Sequence, residues 1–359
     1  MYIKSLQINN LRNIGSAKIE PDPGVNIFSG DNGAGKSTIL EALTVLSKGR
    51  SFRSGQVSSL IGPEGATFTV FARTSDDGQR GNALGLERGR DGWTARLNGT
   101  PVRQLSELAL SLPFVLIEPN SHLLVSGPPD TRRRFMDWGV FHVEPQHLSN
   151  WRRYSRALKQ RNAALKAGQR DVVASLGPVM NELAEQLHRA RQAQLEPWLD
   201  SVSNLLNELS PRLGELRFQY RKGWKEDHYA EALDRHRDAD FERGQTYAGP
   251  HRAEMAMTID GQAARERLSR GEQKQLAAGL LLSQAVQLKQ SGVTPLMLLD
   301  DLASEFDRHH LERTLSLCCD LQAQLWLTGT GPEPYRRCIP AAGKMFHVEQ
   351  GCVRTQSAG

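Results

Sequence analysis

The 359-residue chain has no run of 18 apolar residues, so no segment has the length to cross a bilayer as a helix. Met1-Tyr2-Ile3-Lys4 leads straight into an alternating pattern, where a secretory leader would show a basic start and an apolar stretch. The expectation is a cytoplasmic protein without a membrane partner. Cysteines are few. Cys318 and Cys319 are adjacent, Cys338 and Cys352 stand alone, and no pair has metal-ligand spacing. That excludes a disulfide framework and leaves reduced thiols. No internal repeat or low-complexity tract occurs, which excludes a solenoid and a mostly disordered chain. Neither sign of charge is scarce: 45 Lys/Arg face 40 Asp/Glu, for a net +5. The mean hydropathy is −0.48 and the isoelectric point about 9.1, which permits an anionic partner.

What is present is one unmistakable stretch, Gly30-Asp31-Asn32-Gly33-Ala34-Gly35-Lys36-Ser37, followed by Thr38. It meets G-x-x-x-x-G-K-[ST] at every fixed position. Val25 to Ser29 before it reads as a strand, and Ile39, Leu40, Leu43 and Leu46 after it recur at helical spacing until Gly49. Strand, glycine loop and helix is the setting in which backbone N–H groups cradle phosphates at a positive helix end. Gly30 to Thr38 are therefore expected to bind ATP. Lys36 would reach the β- and γ-phosphates as a catalytic cation, and Ser37 would ligate Mg²⁺.

Around this loop the chain divides at its breaks. Ile3 to Ile8 alternates as a strand, with a turn over Asn9 to Asn13. Thr67 to Leu97 reads as an antiparallel meander with turns at Asp77-Gly78, Gly89 to Gly92 and Asn98-Gly99. Leu112 to Ile117 is an apolar strand, and Gly127-Pro128-Pro129 stops it. A helix then runs from Gln146 to Ala167. A second helical region follows a break at Gly177-Pro178, and Pro197 should kink or split it. Leu216 to Tyr220 and Glu254 to Ile259 are strands. The last part alternates helix and strand and ends in a hairpin with its turn at Gln350-Gly351. The segments expected are 1–127, the first part of an ATPase head; 128–242, a helical lid insert; and 243–359, the rest of the head.

The last segment supplies the other half of a nucleotide site. Leu296 to Leu299 is a buried-type strand ending in Asp300-Asp301. Asp300 is placed to hold Mg²⁺, and Asp301 to accept a proton from an attacking water. Before it, Leu268-Ser269-Arg270-Gly271-Glu272-Gln273 opens a helix, with the Ser269 hydroxyl and the Gly271 N–H at its N-terminus. This run matches the L-S-x-G-[EQ] signature of ATP-binding cassette ATPases, and Ser304-Glu305-Phe306-Asp307 stands where their D-loop does. The match implies that Ser269 and Gly271 cap the γ-phosphate held by a second subunit, hence a homodimer with ATP.

The blocks Leu6 to Asn13, Gly49 to Arg53, Gly127 to Asp137, Asn162 to Leu165, Gly249-Pro250-His251-Arg252, Leu268 to Gln273, Leu299 to Asp307 and Lys344 to Gly351 together resemble the RecF family of bacterial recombination and repair proteins. The resemblance implies an α/β fold: an ATP-binding cassette, SMC-head-like P-loop ATPase with an antiparallel β subdomain and an inserted helical lid. It also implies ATP with Mg²⁺, binding to single-stranded, duplex or gapped DNA, and partnership with RecO and RecR in loading RecA. The rival is the ATPase subunit of a membrane transporter. Such subunits carry a histidine where Thr328-Gly329-Thr330 ends the late strand, and a glutamine where Glu118-Pro119-Asn120 stands. Both are missing, so a weak, switch-like ATPase stimulated by DNA is expected. For DNA, ten Lys/Arg between Arg132 and Arg170 meet only Asp137 and Glu144, a local +8. Arg152, Arg153, Arg156 and Lys159 flank an apolar stripe there and are expected to meet phosphates. Arg50 and Arg53 are candidates for DNA or for the nucleotide.

Overall fold

The computed structural model describes residues 1–53, 55–75, 81–144, 146–209, 213–339 and 343–356, with backbone alone at 200, 201, 203, 204 and 207–209. The expected Asp77-Gly78 turn lies outside them. Contacts group the chain into two compact units: Met1–Ser121 with Ala278–Gly359, and His122–Ala277.

The first unit is built on a parallel sheet. Val25–Ser29, Leu325–Gly329 and Leu296–Asp300 lie side by side, and Phe114–Ile117 flanks Leu296–Asp300. On the other side stands Lys344–Glu349 with its antiparallel partner Cys352–Gln356. Every residue of the three central strands is buried, which is why they read as continuous apolar runs and not as alternation. Phe28 is stacked between Trp326 at 5.3 Å and Phe346 at 4.8 Å. A second, antiparallel sheet contains the meander Thr67–Ser75, Ala83–Gly89 and Trp93–Leu97 beside Tyr2–Leu11. Phe68, Val70 and Ala72 on its inner face share one core with Ile39, Leu40, Leu43 and Leu46 of the Lys36–Lys48 helix. Gly49 ends that helix at φ 68°. The first strand outruns the expected turn. It pairs as far as Leu11 with Ile14, and the chain reverses at Arg12-Asn13.

The second unit is mainly helical. Pro129–Val143 begins with its proline in the first turn, where no N–H is needed. His147–Lys166 then meets Arg170–Leu209 through Gly168 at φ 68°. The expected break at Gly177-Pro178 and the split at Pro197 do not occur, and one 40-residue helix runs through both prolines. Its stripe of Met180, Leu183, Leu187, Leu195, Trp198, Val202 and Leu206 is buried along the whole length. At roughly 1.5–3 kcal/mol per large apolar side chain, that burial outweighs about 3 kcal/mol for each interior proline. Leu216–Arg221 pairs antiparallel with Glu254–Ile259. This pairing draws the chain beyond residue 242 into the second unit, which starts at His122 and takes in the signature run. The short helices Tyr229–Arg235 and Arg237–Arg243 had no clear sequence signal.

Candidate functional site

Three parallel strands end together at one edge of the sheet, where open α/β sheets bind ligands. Ser29 leads into the glycine loop, Asp300 ends its strand, and Thr328-Gly329 ends the strand between them. Gly30, Gly33 and Gly35 take φ of 155°, 82° and 114°. A Cβ on Gly30 would also strike the Val348 carbonyl oxygen. Asp31, Asn32 and Gly33 are exposed, while Ala34, Gly35 and Thr38 are buried. Lys36 Nζ donates to the Gly30 and Asp31 carbonyls at 2.7 and 2.8 Å, so the loop curls around its own cation.

Ser37 and Asp300, 263 residues apart, meet: the Ser37 hydroxyl donates to Asp300 Oδ1 at 2.8 Å. The same oxygen accepts from Thr328 Oγ1 at 2.6 Å. A hydroxyl and a carboxylate are the hard oxygen donors that Mg²⁺ takes beside phosphates, so the residues present fit that ion. Asp301 has left-handed backbone at φ 52°, with its N–H donated to Thr328 Oγ1 at 3.0 Å. Its Oδ1 is buried and has no partner among the described residues.

The braces of this loop were not legible as such. Asn13 Nδ2 donates to the Gly33 carbonyl at 3.1 Å, and its Oδ1 accepts from Thr38 at 3.3 Å. The Gly351 N–H of the terminal hairpin turn donates to the Ala34 carbonyl at 2.8 Å. Arg12 forks onto the fully buried Glu41, which also accepts from Ser51. Buried Tyr335 donates to the Thr328 carbonyl at 2.7 Å and accepts from the Ala303 N–H at 3.2 Å, tying the strand end to the Leu302–Glu305 helix. In the blocks read from sequence Arg12, Asn13, Ser51, Ala303 and Gly351 appeared, with no such role attached, while Glu41 and Tyr335 did not appear. Thr328 appeared only as a missing histidine.

Glu118 is half-buried, and burial first, then the charge of Asp300, pushes its carboxyl up to about 7. Arg53 acts in the opposite direction on the same group, so its charge lies within reach of the metal-side carboxylates. Arg53 and Arg50 are both exposed, as is Asn120.

In the second unit Ser269 is exposed at the start of the Arg270–Gln290 helix, and it forms a capping box. Its hydroxyl donates to Glu272 Oε2 at 2.7 Å, its N–H to the same oxygen at 2.8 Å, and the Glu272 N–H returns to Ser269 Oγ at 3.4 Å. Gly271 is exposed, with nothing near the position of a Cβ. Arg152, Arg153, Arg156 and Lys159 are exposed on one helix, while Tyr154, Ala157, Ala164 and Leu165 are buried on its other side. Trp151 packs against the core. The local +8 overstates the surface, however. Arg161 is buried on Asp240 at 2.7 Å, and Arg132 on Glu254 at 2.6 Å. Both acids lie outside the counted stretch.

Residues 2–353 match the model of the RecF/RecN/SMC N-terminal domain. The chain is 38% identical over 366 residues to the DNA replication and repair protein RecF of Xanthomonas euvesicatoria, covering all of both. It is 41% identical to the RecF of Stenotrophomonas maltophilia, covering 98% of this chain and 99% of that one. The chain belongs to the RecF family. A solved structure described as the recombination mediator protein RecF with ATP in the RecFOR pathway matches at a TM-score of 0.88 and 25% identity. That match covers 99% of this chain and 98% of the other. An SMC head bound to the winged-helix domain of ScpA matches at 0.59 and 16% identity, which extends the likeness to the SMC-head fold. The α/β cassette expected from the motifs is thus the fold of this chain.

Proposed function

We propose that the chain is an ATP-switched DNA-binding protein of DNA replication and recombinational repair, acting with RecO and RecR to promote loading of RecA. The observation that carries the ATP half is the meeting of Ser37, Asp300 and Thr328 beside the Gly30–Ser37 loop. Lys36 exchanges its two carbonyls for β- and γ-phosphate oxygens. Ser37 and Asp300 would hold Mg²⁺, which would supply positive charge beside the phosphates. Thr328 fixes the Asp300 carboxylate, and the open Asp301 Oδ1 orients the attacking water and takes its proton. Glu118 stands at the metal side in the place of the cassette glutamine. With Thr328 bonded to Asp300 and no histidine at the strand end, turnover is slow and DNA-stimulated, and ATP serves as a state marker. Ser269 and Gly271 complete the site of a second copy, so ATP joins two chains and hydrolysis parts them.

The DNA half rests on the exposed cations Arg152, Arg153, Arg156 and Lys159 above a buried apolar face. They meet phosphates, which position the chain on single-stranded, duplex or gapped DNA without reading sequence. Filter binding across a salt titration, with a slowly hydrolysed ATP analogue and Mg²⁺, tests this. Reversing Arg152, Arg153 and Arg156 to Glu lowers the slope of log K against log salt on duplex by about 0.9 for each lost contact. An unchanged slope removes this helix from the DNA interface.

A further inference from the structure

The second unit contains a groove of about 1210 Å³, lined in part by the Arg170–Leu209 helix, the 220–226 segment and residues between Tyr247 and Glu254. Six Lys/Arg and four Asp/Glu line it. Glu254 is committed outside the groove to Arg132 and Asp130 to Arg134, while Glu226 pairs with Arg235, one of the six cations. Among the cations, Lys225 and Arg252 are exposed and form no ion pair among the described residues. Aromatic rings interleave with them. Tyr247 at the rim is 51% exposed, with His236 beside its ring at 4.9 Å. Trp224 lies under Lys222 at 5.0 Å and is 8% exposed. Its indole N–H is buried and has no acceptor among the described residues.

The walls are held rigidly by two glycines. The Gly249 N–H donates to the Gly223 carbonyl at 3.0 Å. A Cβ on Gly223 would strike the Gly249 carbonyl oxygen, and one on Gly249 would strike the Tyr154 and Tyr229 hydroxyls. Gly249 also takes φ 140°. This close backbone approach fixes the loop of Lys222 and Lys225 against the turn of Arg252. His251 on that turn is locked as well: Tyr154 donates to its Nδ1 at 2.8 Å, and its Nε2 donates to the Thr246 carbonyl at 3.2 Å.

We infer that this groove binds a segment of single-stranded nucleic acid, with Lys225 and Arg252 on phosphates and Tyr247 stacking on a base. Unpaired cations beside the exposed ring of Tyr247, which Arg243 approaches at 5.4 Å, are the combination that single strands use and duplexes cannot, because paired bases hide their faces. The inference rests on the DNA-binding reading above and adds a second element to it.

The test uses the full chain with Mg²⁺ and a slowly hydrolysed ATP analogue. Tyr247→Ala, at an exposed position, should weaken binding of a single-stranded oligonucleotide roughly tenfold while duplex affinity holds. Lys225→Ala with Arg252→Ala should lower the single-strand salt slope by about 1.4, from about 0.7 per contact. A bromodeoxyuridine-substituted single strand should photocrosslink to Tyr247, Tyr220 or Trp224. Equal losses on single strand and duplex, an unchanged slope, or capture of a polyglutamate peptide in preference to the oligonucleotide overturns the groove assignment. If wild type binds neither form of DNA, the broader DNA reading has failed. If it binds and Tyr247→Ala changes nothing, only the groove is wrong.

Discussion

Two loops in this chain stand at a helix N-terminus where the proposed function puts phosphate, and they are prepared differently. In the Gly30–Ser37 loop the polar groups are poised: Lys36 rests on two carbonyls, and Ser37 already touches Asp300. Neighbours from distant sequence, Asn13 and Gly351, hold the curve. In the signature loop Ser269 is engaged with its own Glu272, and no neighbour prepares Gly271 for an anion. The first loop is finished for the role proposed for it. The second is a capped helix and, on the proposed reading, would take phosphate only when its cap lets go. That difference suits a chain in which one loop binds nucleotide first and the other joins from a second copy.

The largest break in this comparison is Lys36→Met. It removes the buried cation of the finished site while leaving the Gly30 and Asp31 carbonyls free to take water. Turnover should fall by several orders of magnitude with the fold kept, since charge on the transferred phosphoryl goes uncompensated. Normal ATP hydrolysis in that variant would show that the site lies elsewhere.

Next is Ser269→Arg, which fills the unfinished loop and leaves the P-loop untouched. ATP should still bind, but light scattering with Mg²⁺ and a slowly hydrolysed analogue should show monomer, where wild type should dimerise. Because a two-fold interface uses the loop twice, one substitution damages both sites. Equal dimerisation of the variant rules out a trans role for Ser269.

How legible these loops were follows from how local their determinants are. Gly30 to Ser37 and the Leu296–Asp300 strand announce themselves because glycine at fixed spacing and an all-buried parallel strand leave a one-dimensional pattern. The Ser269–Glu272 capping box is local too. Asn13, Gly351 and Tyr335 act through one or two hydrogen bonds each, several of them to residues distant in sequence, which leave no pattern in a sequence window. Pro178 and Pro197 misled in the opposite direction: their local penalty is real, but tertiary burial of the Arg170–Leu209 stripe outweighs it. The +8 stretch shows the same limit for charge, since Arg132 and Arg161 are neutralised by Glu254 and Asp240, far away in sequence.

The two units should also part company with pH. Burial holds the His251 imidazole down at about 4, so in the second unit its neutral form is part of the fold. A depressed histidine contributes stability above its unfolded value, about 6.5, and loses it as pH falls toward 4. Between pH 8 and 5 the loss is about 2 kcal/mol. Glu118 in the first unit has the opposite sign. Its raised carboxyl binds a proton more readily folded than unfolded, so that unit gains stability as pH falls through about 7. Hydrogen exchange at pH 8 and pH 5 should therefore show amides around Tyr154 and His251 losing protection relative to those of the Leu296–Asp300 strand. A uniform change across both units contradicts this.

The finest probe is Glu272→Gln. Ser269 holds the Glu272 carboxyl below its ordinary value by donating to it, so at neutral pH a full negative charge sits on the hydroxyl that the proposed function gives to a partner's γ-phosphate. That charge opposes the phosphate twice, by repulsion and by occupying the donor. Glutamine keeps the reach and the acceptor oxygen, so the capping box and the helix start survive. It removes only the charge. Because Glu272 lies near the surface, water and salt screen most of the gain. ATP-induced dimerisation should tighten by roughly two- to fivefold at low salt, the range of a single exposed charge interaction. The difference should shrink as salt is added, whereas Ser269→Arg should stay monomeric at every salt concentration. If Glu272→Gln weakens the dimer, the carboxylate supports the trans contact, and the signature loop is as finished as the P-loop.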